Sequence, residues 1–103
     1  MRLDEAVWRV KDTWEGQGGI ITRGDYISLL LAQLVEAVQH AERGERMKYV
    51  NEMADVVSIA WQAIMSERYD PEPVVVRRIL QSILPKMNNG DIEKKYRLHR
   101  ETP

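Results

Sequence analysis

Cysteine is absent from this 103-residue chain, which excludes disulfides, thiolate nucleophiles and Cys-based zinc sites. An excess of charge of either sign is also lacking. Fifteen Lys and Arg stand against sixteen Asp and Glu, a formal net charge of -1. That balance offers no electrostatic footprint for nucleic acid or for an anionic membrane, so neither is an expected partner. No apolar run approaches the roughly 18 residues of a membrane span. Met1-Arg2-Leu3-Asp4-Glu5 lacks the apolar core of a secretory signal, and the expected location is cytoplasmic. Internal repeats and low-complexity tracts are missing. Val74-Val75-Val76 is the one β-like run, too short and isolated to build a sheet. Gly16-Gln17-Gly18-Gly19 lacks the Gly-Lys-Ser/Thr ending of a phosphate-cradling loop and reads as a turn. No Ser/His/Asp arrangement stands out for nucleophilic catalysis.

What is present reads as helix nearly throughout. Hydrophobic residues make up 44% of the chain, enough for one domain over residues 1–103 with a modest core. Leu3, Val7, Val10 and Trp14 recur at steps of three and four and predict a helix over about 3–14. Ile20 and Ile21 are placed to cover one end of the core. Thr22, with Asp25 three residues on, has the form of an N-cap and opens a second helix over about 23–43. Gly44 closes it. A third helix is expected over about 45–68, interrupted by Tyr69-Asp70-Pro71-Glu72-Pro73. A fourth, about 73–87, carries Val76, Ile79, Leu80, Ile83 and Leu84 on one side, before Asn88-Asn89-Gly90 and a tail over 88–103. The expected fold is all-α, a four-helix bundle.

Two acidic pairs sit in the most apolar stretches. Between Ile27 and Val38 only Ser28, Gln33 and Glu36 are polar, and Glu52 and Asp55 lie within Val50–Ile64. Residues three apart share a helix face, so Glu36 stands beside Gln33 and Glu52 beside Asp55. If the two helices pack antiparallel, three acids and an amide converge. Gathered anions repel in low dielectric unless a cation joins them. Gln33, Glu36, Glu52 and Asp55 are therefore candidate ligands of a hard divalent ion, Mg2+ first and Mn2+ as the alternative. The competing reading places these acids on solvated faces. The second helix is apolar around most of its circumference, more than a chain this small can cover. A homodimer or homotetramer is expected to cover the rest.

Leu30–Val38, followed by Asn51-Glu52-Met53-Ala54-Asp55-Val56-Val57, resembles the all-α nucleoside triphosphate pyrophosphatases of the MazG type, which carry Glu-x-x-Glu on one helix and Glu-x-x-Asp on the next. The resemblance covers roughly Ile27–Ile64, and Glu52 follows Glu36 by sixteen residues. It implies Mg2+-dependent cleavage of the α–β phosphoanhydride of a nucleoside triphosphate, releasing a monophosphate and pyrophosphate. Glu36, Glu52 and Asp55 would be the catalytic acids. One position departs: Gln33 stands where the family has its first Glu. An amide oxygen still ligates a hard cation but brings no charge, leaving three formal negative charges at the site. Two alternatives stand beside the enzyme: a non-catalytic helical homo-oligomer of the same ancestry, and a helical protein–protein interaction module.

Further candidates lie around this motif. Lys48, one turn before Glu52, reaches either a phosphate or, as the simpler expectation, Glu52 itself. Trp61 and Tyr49 are candidates to stack a base, though the spacing of Trp61 from Val57 and Ile64 also suits core. In the resembling family, basic residues after the last helix contact the triphosphate, which makes Lys94, Lys95 and Arg97 candidates. His40 is expected at the exposed end of the second helix, where the helix dipole favours its cation.

Overall fold

The computed structural model describes residues 1–16 and 21–88, and among them every regular element is helical. Helix α1 (Leu3–Gly16), α2 (Arg23–Glu42) and α3 (Arg46–Ser66) belong to one compact unit, residues 1–69. A second unit begins at Asp70 and contains α4 (Pro71–Arg78), a π-helical turn (Ile79–Ile83) and α5 (Leu84–Asn88) in unbroken succession.

Side-chain chemistry marks each boundary. Thr22 caps α2 through a reciprocal box: the Asp25 amide donates to Thr22 Oγ1 at 3.2 Å, and the Thr22 amide donates to Asp25 Oδ2 at 2.9 Å. The Thr22 amide, and then the Thr22 hydroxyl donating to the same Oδ2 at 3.0 Å, hold the Asp25 carboxyl below the usual range. At the other end Gly44 adopts φ +70°. Its amide donates to the Ala41 carbonyl at 3.1 Å and that of Glu45 to the His40 carbonyl at 2.9 Å, the two bonds of a Schellman ending. α2 and α3 are thus joined by a three-residue turn and must run antiparallel. Arg23, at the start of α2, grips Glu67, just past the end of α3, through Nε and through Nη2 to Oε2 at 2.9 Å. α1 packs on α3.

Three boundaries differ from the sequence expectation, the first being α3, which ends at Ser66 rather than about Arg68. α1 continues through Gly16 rather than ending near Trp14. The fourth helix opens at Pro71, not Pro73. Both prolines lie in its first turn, where the missing N–H has no intrahelical partner to lose. A third proline, Pro85, falls inside the helical run. Its ring would clash with the carbonyl four residues earlier, at Gln81, and the π turn over Ile79–Ile83 widens the backbone at that place. The Leu84 amide there donates to the Ile79 carbonyl, five residues back.

Burial is thin. Among the described residues the buried apolar side chains are Val7, Tyr26, Ala37 and Pro71, with Gln62 the buried polar one. On α2 the stripe Tyr26, Leu30, Gln33, Ala37 and His40 is buried or half-buried and faces α3. A second stripe, Ile27, Leu31, Leu34, Val35 and Val38, stays between 44% and 59% exposed. No described helix is long and apolar enough to cross a membrane.

Candidate functional site

The antiparallel hairpin brings the two acidic pairs together. Gln33 and Glu36 sit a turn apart on α2, Glu52 and Asp55 a turn apart on α3. Glu52 is the most deeply placed acid, its side chain 16% exposed, whereas Glu36 and Asp55 are exposed. Burial pushes the Glu52 carboxyl above its ordinary range. Glu36, close enough to share a proton with it, raises it further, as does the charge of Asp55, while His40 pulls the other way. The three acids therefore share one electrostatic environment.

Two acceptors in this region lack donors. Gln33 Oε1 and Glu52 Oε2 are both buried and accept no hydrogen bond among the described residues. A buried acceptor without a donor is destabilising by about 1–3 kcal/mol, and two on facing helices fit the chemistry of a hard cation, which binds oxygen. The carboxylates do not converge tightly enough to form a cage. Among the described residues no three His, Cys, Asp or Glu side chains stand grouped so as to hold a metal.

His40 is a residue whose position differs from expectation. Its side chain is 20% exposed and lies between two carboxylates, with Nδ1 at 3.2 Å from Glu45 Oε1 and Nε2 at 3.7 Å from Glu52 Oε1. The Schellman ending at Gly44 brings Glu45 back over the last turn of α2, a contact that helix periodicity alone does not reveal. Lys48 also departs: its ammonium pairs with Glu45 Oε2 at 2.9 Å rather than with Glu52, and its side chain is 64% exposed.

An apolar cavity of about 460 Å3 lies farther along the same hairpin, and none of Gln33, Glu36, Glu52 and Asp55 lines it. Leu29 and Ile59, each one turn from Gln33 and Asp55, contribute to its wall with Val10, Trp14, Tyr26 and Gln62. Trp14, which periodicity places only on the amphipathic face of α1, is thus an aromatic of the cavity wall. Trp61 is half-buried on α3 and is not one of the side chains lining the cavity. Tyr49 is exposed near the start of α3. Lys94, Lys95 and Arg97, together with Ile20 and the glycines at 18 and 19, lie outside the described residues. Comparison with protein-family models, curated proteins and solved structures found no match.

Proposed function

We propose that the chain is a Mg2+-dependent nucleoside triphosphate pyrophosphohydrolase of the MazG-like all-α kind, working as a homodimer or a multiple of one. The observation that carries this reading is the meeting of Glu36, Glu52 and Asp55 across the α2–α3 hairpin, beside two buried oxygens that no donor satisfies among the described residues. Glu36, Glu52 and Asp55 would hold the ion, with Gln33 adding a neutral oxygen, and Mn2+ is an alternative occupant. When bound, the ion supplies neutralisation of phosphate charge and activation of water. Glu36 already lies against Glu52, and the exposed Asp55 would have to turn toward them to close the set. The cavity farther along the hairpin has the volume and apolar walls to hold a base, and Trp14 offers a face for stacking. A nucleotide lying along the hairpin would then have its phosphates at the acids.

Pyrophosphate release from a panel of nucleoside triphosphates with Mg2+ tests this directly. Asp55→Asn keeps the shape and removes a charge. Loss of several kcal/mol of transition-state stabilisation corresponds to a fall of about a hundredfold or more. Wild type releasing no pyrophosphate from any triphosphate would sink the enzymatic reading.

A second reading, a non-catalytic helical homo-oligomer, is favoured by two observations. Gln33 supplies no charge, and the described side chains are not gathered into a metal cage. Under it, Mg2+ leaves the melting temperature unchanged. Under the first, a hundredfold excess over the dissociation constant stabilises the fold by about 2.7 kcal/mol.

A further inference from the structure

The apolar cavity between α1, α2 and α3 has a polarity of its own, and the cap of α2 sets it. Val10 and Trp14 of α1, Leu29 of α2 and Ile59 of α3 give it aliphatic and flat aromatic walls. Its volume of about 460 Å3 is in the range of sites for small ligands. Beside the Tyr26 phenol, its polar side chains are Asp25, Ser28 and Gln62, and no Lys, Arg or His stands among the described residues that line it. Gln62 is 6% exposed, and its Nε2 donates to Ser58 Oγ at 3.3 Å. The one formal charge that the cavity offers is therefore the Asp25 carboxylate.

Which oxygen that carboxylate keeps for a ligand follows from the cap. Thr22 donates twice to Oδ2, from its amide at 2.9 Å and from its hydroxyl at 3.0 Å, and these bonds favour the ionised form. Oδ2 has both acceptor sites filled, while Oδ1 keeps two. An ionised carboxylate only accepts, so a group that meets Oδ1 must bring its own hydrogens. Two donors side by side would use both sites. Among the common nucleobases guanine alone sets two nitrogen donors side by side, N1–H and the exocyclic amine. Hypoxanthine is the same ring without the amine.

We propose that the cavity is a guanine site, in which Trp14 stacks on the ring and Asp25 Oδ1 accepts from N1–H and from the exocyclic amine. The inference rests on the nucleotide reading for the class of ligand and adds to it the base. The N-cap box of α2 then serves twice, once for the helix and once for specificity.

Calorimetric titration with guanosine and with inosine, in chelator, tests this in wild type, Asp25→Asn and Val10→Trp. Neither nucleoside carries phosphate, so the acids of the hairpin play no part. Wild type is expected to bind guanosine about 10-fold or more tighter than inosine, as one added hydrogen bond to a charged group implies. In Asp25→Asn the amide oxygen can keep the Thr22 donors, which turns the amide NH2 outward in place of Oδ1. Donor then meets donor, and the preference for guanosine is expected to vanish. Val10→Trp fills the cavity from α1 and is expected to bind neither nucleoside. Melting temperatures show which variants fold, and if Asp25→Asn does not, the wild-type ratio and Val10→Trp carry the test. No guanosine binding by wild type, equal affinities for the two nucleosides, or undiminished binding in Val10→Trp overturns the guanine site. So does a guanosine preference that survives in a folded Asp25→Asn. Pyrophosphate release by a wild type that fails these tests leaves the enzymatic reading standing without this base. Guanosine binding as expected, with no release from any triphosphate, keeps the guanine site and removes the enzyme.

Discussion

Glu52 is the side chain on which the site turns, and its environment makes a directional claim about pH. Burial, then Glu36 and Asp55, raise its carboxyl above the ordinary value of 4.5. A pKa raised on folding contributes stability that is complete below 4.5 and is lost as the pH climbs through the raised value. Glu45, held low chiefly by Lys48 and then His40, and Glu67, held low by Arg23, act in the opposite sense and weaken the fold in acid. In chelator, Glu52→Gln should therefore melt with wild type near pH 4.5 and above it by a margin that opens as the pH climbs through the raised value and is then constant. Parallel melting curves across that range would show that Glu52 is well solvated. Gln33 allows a second test with a change of sign. Gln33→Glu sets a fourth anion near three others, so it should destabilise the chain in chelator. With millimolar Mg2+ the same charge should tighten binding and raise both the melting temperature and pyrophosphate release. Equal effects in the two conditions would mean that residue 33 does not face the acids. The meeting of Glu36, Glu52 and Asp55 was legible in their spacing. The position of His40 was not, because it depends on how the turn at Gly44 folds Glu45 back, and periodicity carries no information about that.

The helices were legible where a side chain must solve a backbone problem. Thr22 and Asp25 satisfy amides that the first turn of α2 leaves free, and Gly44 supplies the left-handed residue that ends it. The start of α4 was harder to place, because a proline is hostile to a helix interior yet welcome in a first turn. Pro85 is uninformative for the converse reason: a π turn accommodates it, and no residue pattern announces such a turn. The two ends of the α2–α3 hairpin offer a paired experiment. A methyl group at Gly44 meets no atom within 4 Å, so Gly44→Ala tests the left-handed backbone alone and should destabilise by about 1–2 kcal/mol. Arg68, just past α3, holds φ +66° without being glycine. Arg68→Gly relieves that conformation and should stabilise by up to about 1 kcal/mol, the strain being offset in part by the looser unfolded chain. Chemical denaturation of both variants checks the opposite signs. If Arg68→Gly destabilises, the Arg68 side chain contributes more than its backbone strain removes.

At the scale of the molecule, the balance of buried and exposed apolar surface favours a partner of the same kind. Four buried apolar side chains among the described residues are few for a chain of this length, since even a well-covered small domain is only marginally stable. Exposed apolar side chains occur on every helix, and on α2 Ile27, Leu31, Leu34, Val35 and Val38 form one continuous exposed stripe. This stripe lies about a third of a turn around the helix from the residues that face α3, at about 100° per residue. A twofold axis beside it would set two copies stripe to stripe and leave the acids of each on the flank. Leu31→Glu places a charge near the middle of the stripe without touching the acids or the caps. Light scattering at micromolar concentration should report a dimer or a multiple of it for wild type and a smaller species for Leu31→Glu. The melting temperature of wild type should also rise with protein concentration, because association stabilises the folded chain by mass action, while the variant's should be lower and flat. A monomeric wild type would overturn the homodimer, for then α2 would carry its exposed stripe with no second copy to cover it.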